Sequence, residues 1–332
     1  MSLRKHGKKS ELLLRMLKER SRKSLEFAKE SILAEKIDSD KTRQAFEYYT
    51  SNWKIFIHPG LFSIACEAVG GNPKDIVPIQ AAMSMLAAAF DIHDDIIDNS
   101  KTKQGQLTVL GKFGRSMTLL LGDAFLVEGF TLFHESSERV SREKRKSILR
   151  TLQRSFFELG NAHAIELDLK RKNNVAPDEY MQVLKMKAAS IEADMQVGAV
   201  IGGGSDSEVE ALTKYGRKIG ILSTLREEFA DMYDLEELQQ RIKNEYFPIP
   251  MLYAFQNETA RRNAQHITSQ RHMNSKDLEK MTHTAFQTKE IKSLRDSMKE
   301  LIVEAIKDIS LLNDSTPKLQ LRQFASVMLA DI

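Results

Sequence analysis

Residues 85–98 read MLAAAFDIHDDIID, an apolar run that ends in a knot of acids. Its last six residues, His93-Asp94-Asp95-Ile96-Ile97-Asp98, are the densest chemical signal in the chain. On a helix Asp94 and Asp98 stand at i and i+4 and share a face, and Asp95 lies about 100° round. Repulsion and the helix dipole both disfavour three like charges at a helix C-terminus, so divalent cations are the natural compensation. Mg²⁺ prefers oxygen ligands, takes one or two carboxylates and shares its other positions with water and phosphate. Met85, Leu86, Ala89 and Phe90 lie upstream, about 6 to 12 Å along the helix axis. A metal–diphosphate head at the helix end would therefore sit on an apolar wall. Taken alone, the motif also fits an acidic helix end that faces water.

The flanking sequence is helical in character. With 7 prolines and 16 glycines in 332 residues, and no β-branched alternation over strand lengths, strands are not expected. Leu12, Leu13, Leu14, Met16 and Leu17 mark a first helix, 41–53 a second, and Pro59 opens a third that stops at Gly70-Gly71. After Asn72-Pro73 a long helix is predicted over 75–98, a polar loop over 99–105, and a helix over 116–136. Ser141 opens the next, to about 170, and Asp178 is expected to cap a helix over 179–201. Gly202-Gly203-Gly204 reads as a plain helix stop, because the strand–turn–helix setting of a phosphate loop is missing. Ser205 and Glu208 form a capping box for a helix that carries Gly216 and Gly220 to about 234. Pro248 and Pro250 then break the chain, and Leu301, Ile302, Ala305, Ile306 and Ile309 make a later amphipathic stripe. No repeat or low-complexity linker divides the chain. The expectation is a single all-α domain over 1–332, with about 1–40 as an N-terminal helical extension.

Composition agrees. Hydrophobic content of 42% and charged content of 29% suit a globular protein, and a net charge of +3 is too small to argue for nucleic acid. The single Cys66, near Ala65 and Ala68, excludes an intramolecular disulfide and reads as a small core residue, so the cytoplasm is the expected location. Glu11, Arg15, Lys18 and Glu19 interrupt any apolar run after the basic N-terminus, so no signal peptide is expected. The apolar stretch 76–90 contains Pro78 and Gln80 and ends at Asp91, which suits a buried helix better than a membrane span.

Beyond the acids, the sequence resembles the trans-isoprenyl diphosphate (polyprenyl) synthetase family over roughly residues 45 to 332. Ile92 to Asp98 are followed by Lys103-Gln104-Gly105, Leu107-Thr108-Val109, Lys112-Phe113-Gly114 and Gly122-Asp123-Ala124-Phe125-Leu126 in the family order. Pro59, Glu67, Gly70-Gly71, Lys187-Ala188-Ala189, Tyr215-Gly216 and Gly220 continue the likeness. The resemblance implies an antiparallel helix bundle around a central cavity, usually a homodimer. Counting from Gly220, it places the second acidic motif on Glu227-Glu228-Phe229-Ala230-Asp231, with two glutamates where the family has aspartates. Glu227 and Asp231 share a helix face there, and longer carboxylates suit a larger ion than Mg²⁺, such as Mn²⁺. A solvated acidic stretch is the plain alternative.

Departures from the family pattern fall mostly on one side. For the allylic diphosphate, Lys103 stands for an arginine, Lys187 is retained, Ala188 replaces a threonine and Thr224 replaces a glutamine. The loop after the second motif is shortened, with Arg241 or Lys243 as its nearest cations. For isopentenyl diphosphate, Ile55 and Phe56 stand where the family has a Lys-Arg pair, His58 replaces an arginine, Ala87 a histidine and Gln104 a second arginine. Lys54 and His58 are the cations nearby, and a diphosphate leaving water needs cations to compensate.

The implied reaction is ionisation of an allylic diphosphate. Asp94, Asp95, Asp98, Glu227, Glu228 and Asp231 serve as ligands to Mg²⁺, and Lys187 neutralises the leaving group. Three functions fit. One is a prenyltransferase making chains of C15 to C20, with the wall of Leu86, Ala89 and Phe90 as its ruler. The second ionises a prenyl diphosphate but uses water, another acceptor or internal cyclisation. The third is a non-catalytic subunit that modulates a synthase.

Overall fold

The computed structural model describes residues 8–332 save 54, 104, 139, 173, 245, 269–273 and 331. Lys54 and Gln104, both expected near substrate, lie outside the described residues. The chain runs α1 (Lys8–Ala34), α2 (Asp40–Ser51), α3 (Ile57–Ala68), α4 (Val77–Ile97), β1 (Thr102–Lys103), β2 (Gln106–Leu107), α5 (Val109–Phe113), α6 (Arg115–Ser136), α7 (Arg142–Leu169) and α8 (Pro177–Lys187). It continues through α9 (Ala189–Gly202), α10 (Asp206–Asp231), α11 (Leu235–Asn244), α12 (Ile249–Ala254), α13 (Glu258–Thr268), α14 (Ser275–Phe286), α15 (Lys289–Asp308) and α16 (Thr316–Ser326), with a 3₁₀ turn at Ile309–Leu311.

Local chemistry explains most boundaries. Ser141 accepts from the Lys144 amide to start α7, and Ser205 with Glu208 closes a reciprocal capping box at α10. Three features depart from the sequence reading. The helix expected over 179–201 is broken between Lys187 and Ala189, giving α8 and α9. It begins at Pro177, where the Glu179 carboxylate, rather than Asp178, receives the Ala176 amide. The break lets Ala188 press against α10 at Gly220, where an added Cβ would lie 2.7 Å from the Ala188 Cβ. The polar loop after α4 is a two-residue antiparallel hairpin, Thr102 opposite Leu107 and Lys103 opposite Gln106. Gly105, at φ +72°, makes its turn.

Two apolar cores form. One gathers Leu61, Leu184, Tyr215, Leu222, Phe229, Leu238 and Leu321 from α3, α8, α10, α11 and α16. The other gathers Phe46, Phe62, Leu86, Ile92, Phe125 and Leu152 from α2, α3, α4, α6 and α7. The first acidic motif thus lies on a helix of one core and the second on a helix of the other. Cys66 is fully buried in the second core, and burial pushes its thiol up to about 12. α1 is no loose appendage: Leu17 is fully buried, and Arg20 pairs with Glu67 at 2.6 Å and bonds Gln320. Residues 77–90 form the N-terminal two-thirds of α4, mostly buried, as expected. The described helix long and apolar enough to cross a bilayer is α6, which packs along α4 with Gly122 against His93 and Gly129 against Leu86, and leaves Leu119, Leu120 and Val127 exposed.

Candidate functional site: an acidic helix end ringed by basic side chains

At the end of α4, each aspartate meets a different basic side chain, two of them from α7 and its C-cap and one from the hairpin. Asp94 Oδ1 lies 3.3 Å from His163 Nδ1, and Asp98 Oδ1 lies 2.9 Å from Lys170 Nζ. Asp95 Oδ1 lies 2.7 Å from Lys103 Nζ, which the hairpin carries back over α4. Asp91, one turn before Asp95, shares Lys103 at 3.2 Å and accepts from the Tyr49 hydroxyl at 3.2 Å. Asp95 therefore leans to the Lys103–Asp91 side, while Asp94 and Asp98 turn towards α7. Lys187 Nζ pairs with Glu166 Oε2 at 2.6 Å, and the fields of Asp94 and Asp98 act on it as well.

Electrostatics follow from burial against charge. Burial raises Asp94 despite the pull of Lys103 and lifts Asp95 to about 7. Burial would also raise Asp91, but Lys103 holds it below its ordinary value. In Lys187 burial works to lower the ammonium, yet Glu166 and Asp94 keep it above the ordinary lysine range. Glu166 stays low because Lys187 outweighs its burial.

Three of the buried oxygens here, Asp94 Oδ1, Asp95 Oδ1 and Glu166 Oε2, face only the basic side chains of His163, Lys103 and Lys187. Buried carboxylate oxygens in that state are acceptors for a cation. Among the described residues no three His, Cys, Asp or Glu side chains converge to hold a bare ion by themselves. The set suits an ion that completes its shell with phosphate and water, as Mg²⁺ does.

His163, Glu166 and Lys170 were missed in the sequence, although their 3- and 4-residue spacing puts them on one face of α7. Asp91 was equally readable, four residues before Asp95. Tyr49 and Tyr180 act across long sequence gaps and leave no local signal, while Arg241, expected as a cation near the second motif, is paired with the motif's own acids.

The second motif is arranged differently from the expected Glu227–Asp231 pairing. Glu228 and Asp231 both turn to Arg241 of α11, at 2.9 and 2.7 Å. Arg241 also donates to the Tyr180 hydroxyl at 3.0 Å, and Tyr180 donates to Glu166 at 2.9 Å. Burial raises both Glu228 and Asp231 in spite of that arginine. Glu227 is partly exposed, and its charge acts on His58.

Other expected contacts fall as follows. His58 Nδ1 lies 2.6 Å from the buried carboxylate of Asp194. Burial works to lower His58, but Asp194 outweighs it and raises the imidazole. The Thr224 hydroxyl donates to its own helix at Gly220, 3.0 Å away. Ile55 and Phe56 are part-buried among apolar neighbours. The expected wall is only partly formed. Leu86 is taken up by α4–α6 packing, against Gly129, where an added Cβ would lie 2.8 Å from it. Ala89 is buried. Phe90 meets Phe156 of α7 at 4.3 Å between ring centroids, and Phe130 of α6 packs on the same ring.

The all-α fold is that of the isoprenyl synthases. The chain belongs to the polyprenyl synthetase family, whose pattern matches residues 39–285. It is 31% identical over 182 residues to a short chain isoprenyl diphosphate synthase of Methanothermobacter thermautotrophicus, covering 54% of this chain and 55% of that protein. The chain thus spans about half the length of the curated relatives it matches. The fold superposes on geranylgeranyl pyrophosphate synthetase from Pyrococcus horikoshii with a TM-score of 0.83 at 23% identity, covering 97% and 99% of the two chains. A polyprenyl synthase from Caulobacter crescentus, solved with calcium and isoprenyl diphosphate, gives 0.77 at 17% identity, with 98% of each chain covered.

Proposed function

We propose that this protein is a divalent-metal-dependent prenyltransferase that ionises an allylic diphosphate of C15 to C20 length. The observation that carries the reading is the gathering of the Asp94, Asp95, Asp98 and Glu166 carboxylates at the end of α4 and on α7, with Lys103 and Lys187 set among them. Asp94, Asp95 and Asp98 would hold Mg²⁺, or Mn²⁺ in its place, and Glu227 is the candidate ligand on the second motif. The ion supplies charge neutralisation of the departing diphosphate. Lys187, kept charged by Glu166, adds a fixed cation for the same oxygens. Phe90 and Phe156 offer an apolar surface that keeps water from an allylic cation.

A specific observation favours a second reading, in which the acceptor is not isopentenyl diphosphate. Ile55 and Phe56 are apolar, and the His58 imidazole is engaged by Asp194, so few cations serve a second diphosphate. Incubating the protein and Mg²⁺ with C5 to C20 allylic diphosphates, with and without isopentenyl diphosphate, separates these readings by mass spectrometry. Chain extension supports the first. Pyrophosphate release without isopentenyl diphosphate supports the second. No turnover leaves the modulating subunit as the answer.

The working form is proposed to be a homodimer. α6 exposes Leu119, Leu120, Val127 and Phe130, and α7 exposes Leu149 and Phe157, an apolar face that a second copy would cover. A cytoplasmic location is proposed on the strength of the free, buried Cys66.

A further inference from the structure

The two acidic motifs differ in what already sits between their carboxylates. Around Asp94, Asp95 and Asp98 the neighbours are single-point partners, two lysines and a histidine on three separate carboxylates, and no planar fork joins two of them. At the second motif the neighbour is a guanidinium. Arg241 Nη2 lies 2.9 Å from Glu228 Oε1 and Nη1 lies 2.7 Å from Asp231 Oδ2. The other Glu228 oxygen accepts from the Ile249 amide at 2.8 Å. Neither Glu228 nor Asp231 is among the carboxylates with unsatisfied buried oxygens. Arg241 is itself buried and is placed by Leu238, fully buried one turn earlier on α11. Its third partner, Tyr180, ties it to Glu166.

These carboxylates do not fit a divalent ion. A guanidinium keeps its proton throughout the accessible pH range and fills a planar fork between two carboxylates. An ion at this place would have to displace it, leaving a buried arginine without its partners, and breaking such a pair is costly. We infer that Arg241 stands in the place of a metal ion at the second motif, so that Glu228 and Asp231 hold a permanent internal cation and bind no divalent ion. The metal requirement of this protein then rests on the α4 motif, with Glu227 the candidate ligand from the second motif, and Glu228 and Asp231 latch α10 to α11 and α12.

The inference builds on the proposed metal-dependent function, and one experiment tests the two separately. Mn²⁺ bound per chain is counted by electron paramagnetic resonance in the presence of inorganic pyrophosphate. Asp231→Asn and Glu228→Gln are expected to leave the count at the wild-type value, and folded Arg241→Gln is expected to gain an ion. Loss of an ion in Asp231→Asn or Glu228→Gln overturns the inference, as does an unchanged count in folded Arg241→Gln. If Arg241→Gln fails to fold, the two carboxylate variants decide alone. Asp94→Asn reports on the underlying reading: a count it does not lower, or a wild type that binds no ion, overturns the α4 metal site.

Discussion

Asp94 and Asp98 face different basic side chains, His163 and Lys170, and either can be changed without opening a core, since neither side chain is fully buried. Asp94→Asn and Asp98→Asn should keep the fold and lower pyrophosphate release by roughly a hundredfold or more, the scale on which one charge-stabilising group acts. Near-normal turnover of either at saturating Mg²⁺ would end the metal assignment. Asp95 adds a pH signature. Its carboxyl is lifted from the ordinary 3.8 to about 7 by burial, so the native chain holds a proton that the unfolded chain has released. Without metal, Asp95 therefore costs stability as pH rises from about 4 to about 7, while metal binding expels the proton. Mg²⁺ affinity should rise with pH across 6 to 8, and calorimetry in buffers of different ionisation heat should detect proton release. A flat affinity and no release would remove Asp95 from the site. At this scale the acids of α4 could be read from spacing alone. Arg241 could be read as a nearby cation but its partners could not, because nothing in local sequence marks which acid an arginine ten residues on will meet.

Between elements, the contact of Phe90 on α4 with Phe156 on α7 is the candidate ruler for the prenyl chain. Ala89→Phe should shorten the preferred allylic diphosphate by at least one isoprene unit, and Phe156→Ala should lengthen it, both read as product length by mass spectrometry. Overpacking at the buried Ala89 costs about 1 to 3 kcal/mol, so a melting curve accompanies the first variant. Unchanged length in both folded variants would exclude this wall. The helices themselves were largely readable from sequence. Ser141 and Ser205 open α7 and α10 where capping chemistry places them. The break at Lys187–Ala189 was not, since no proline or glycine marks it. It arises from tertiary packing, the fit of Ala188 against the bare backbone of Gly220. The hairpin after α4 was also missed, two residues per strand being too short for alternation to register.

For the whole molecule, the exposed apolar residues of α6 and α7 bear on assembly. Phe157 is 69% exposed, so Phe157→Glu should leave the single-chain fold intact. It is expected to convert a dimer to monomers in light scattering at micromolar concentration. A variant that scatters as the wild type does would show that another surface, or none, joins two copies. The lone thiol in the second core has a different use. Cys66 has no solvent exposure, and its pKa of about 12 leaves roughly one molecule in ten thousand as thiolate at pH 8. An alkylating reagent can therefore reach it only when α3 parts from its neighbours, and each chain carries one such event. Labelling timed by mass spectrometry should be negligible in the native buffer and complete in denaturant. Its rate in between reads the opening equilibrium of the core directly, and added Mg²⁺ with pyrophosphate should slow it by the factor that ligand binding stabilises the closed state.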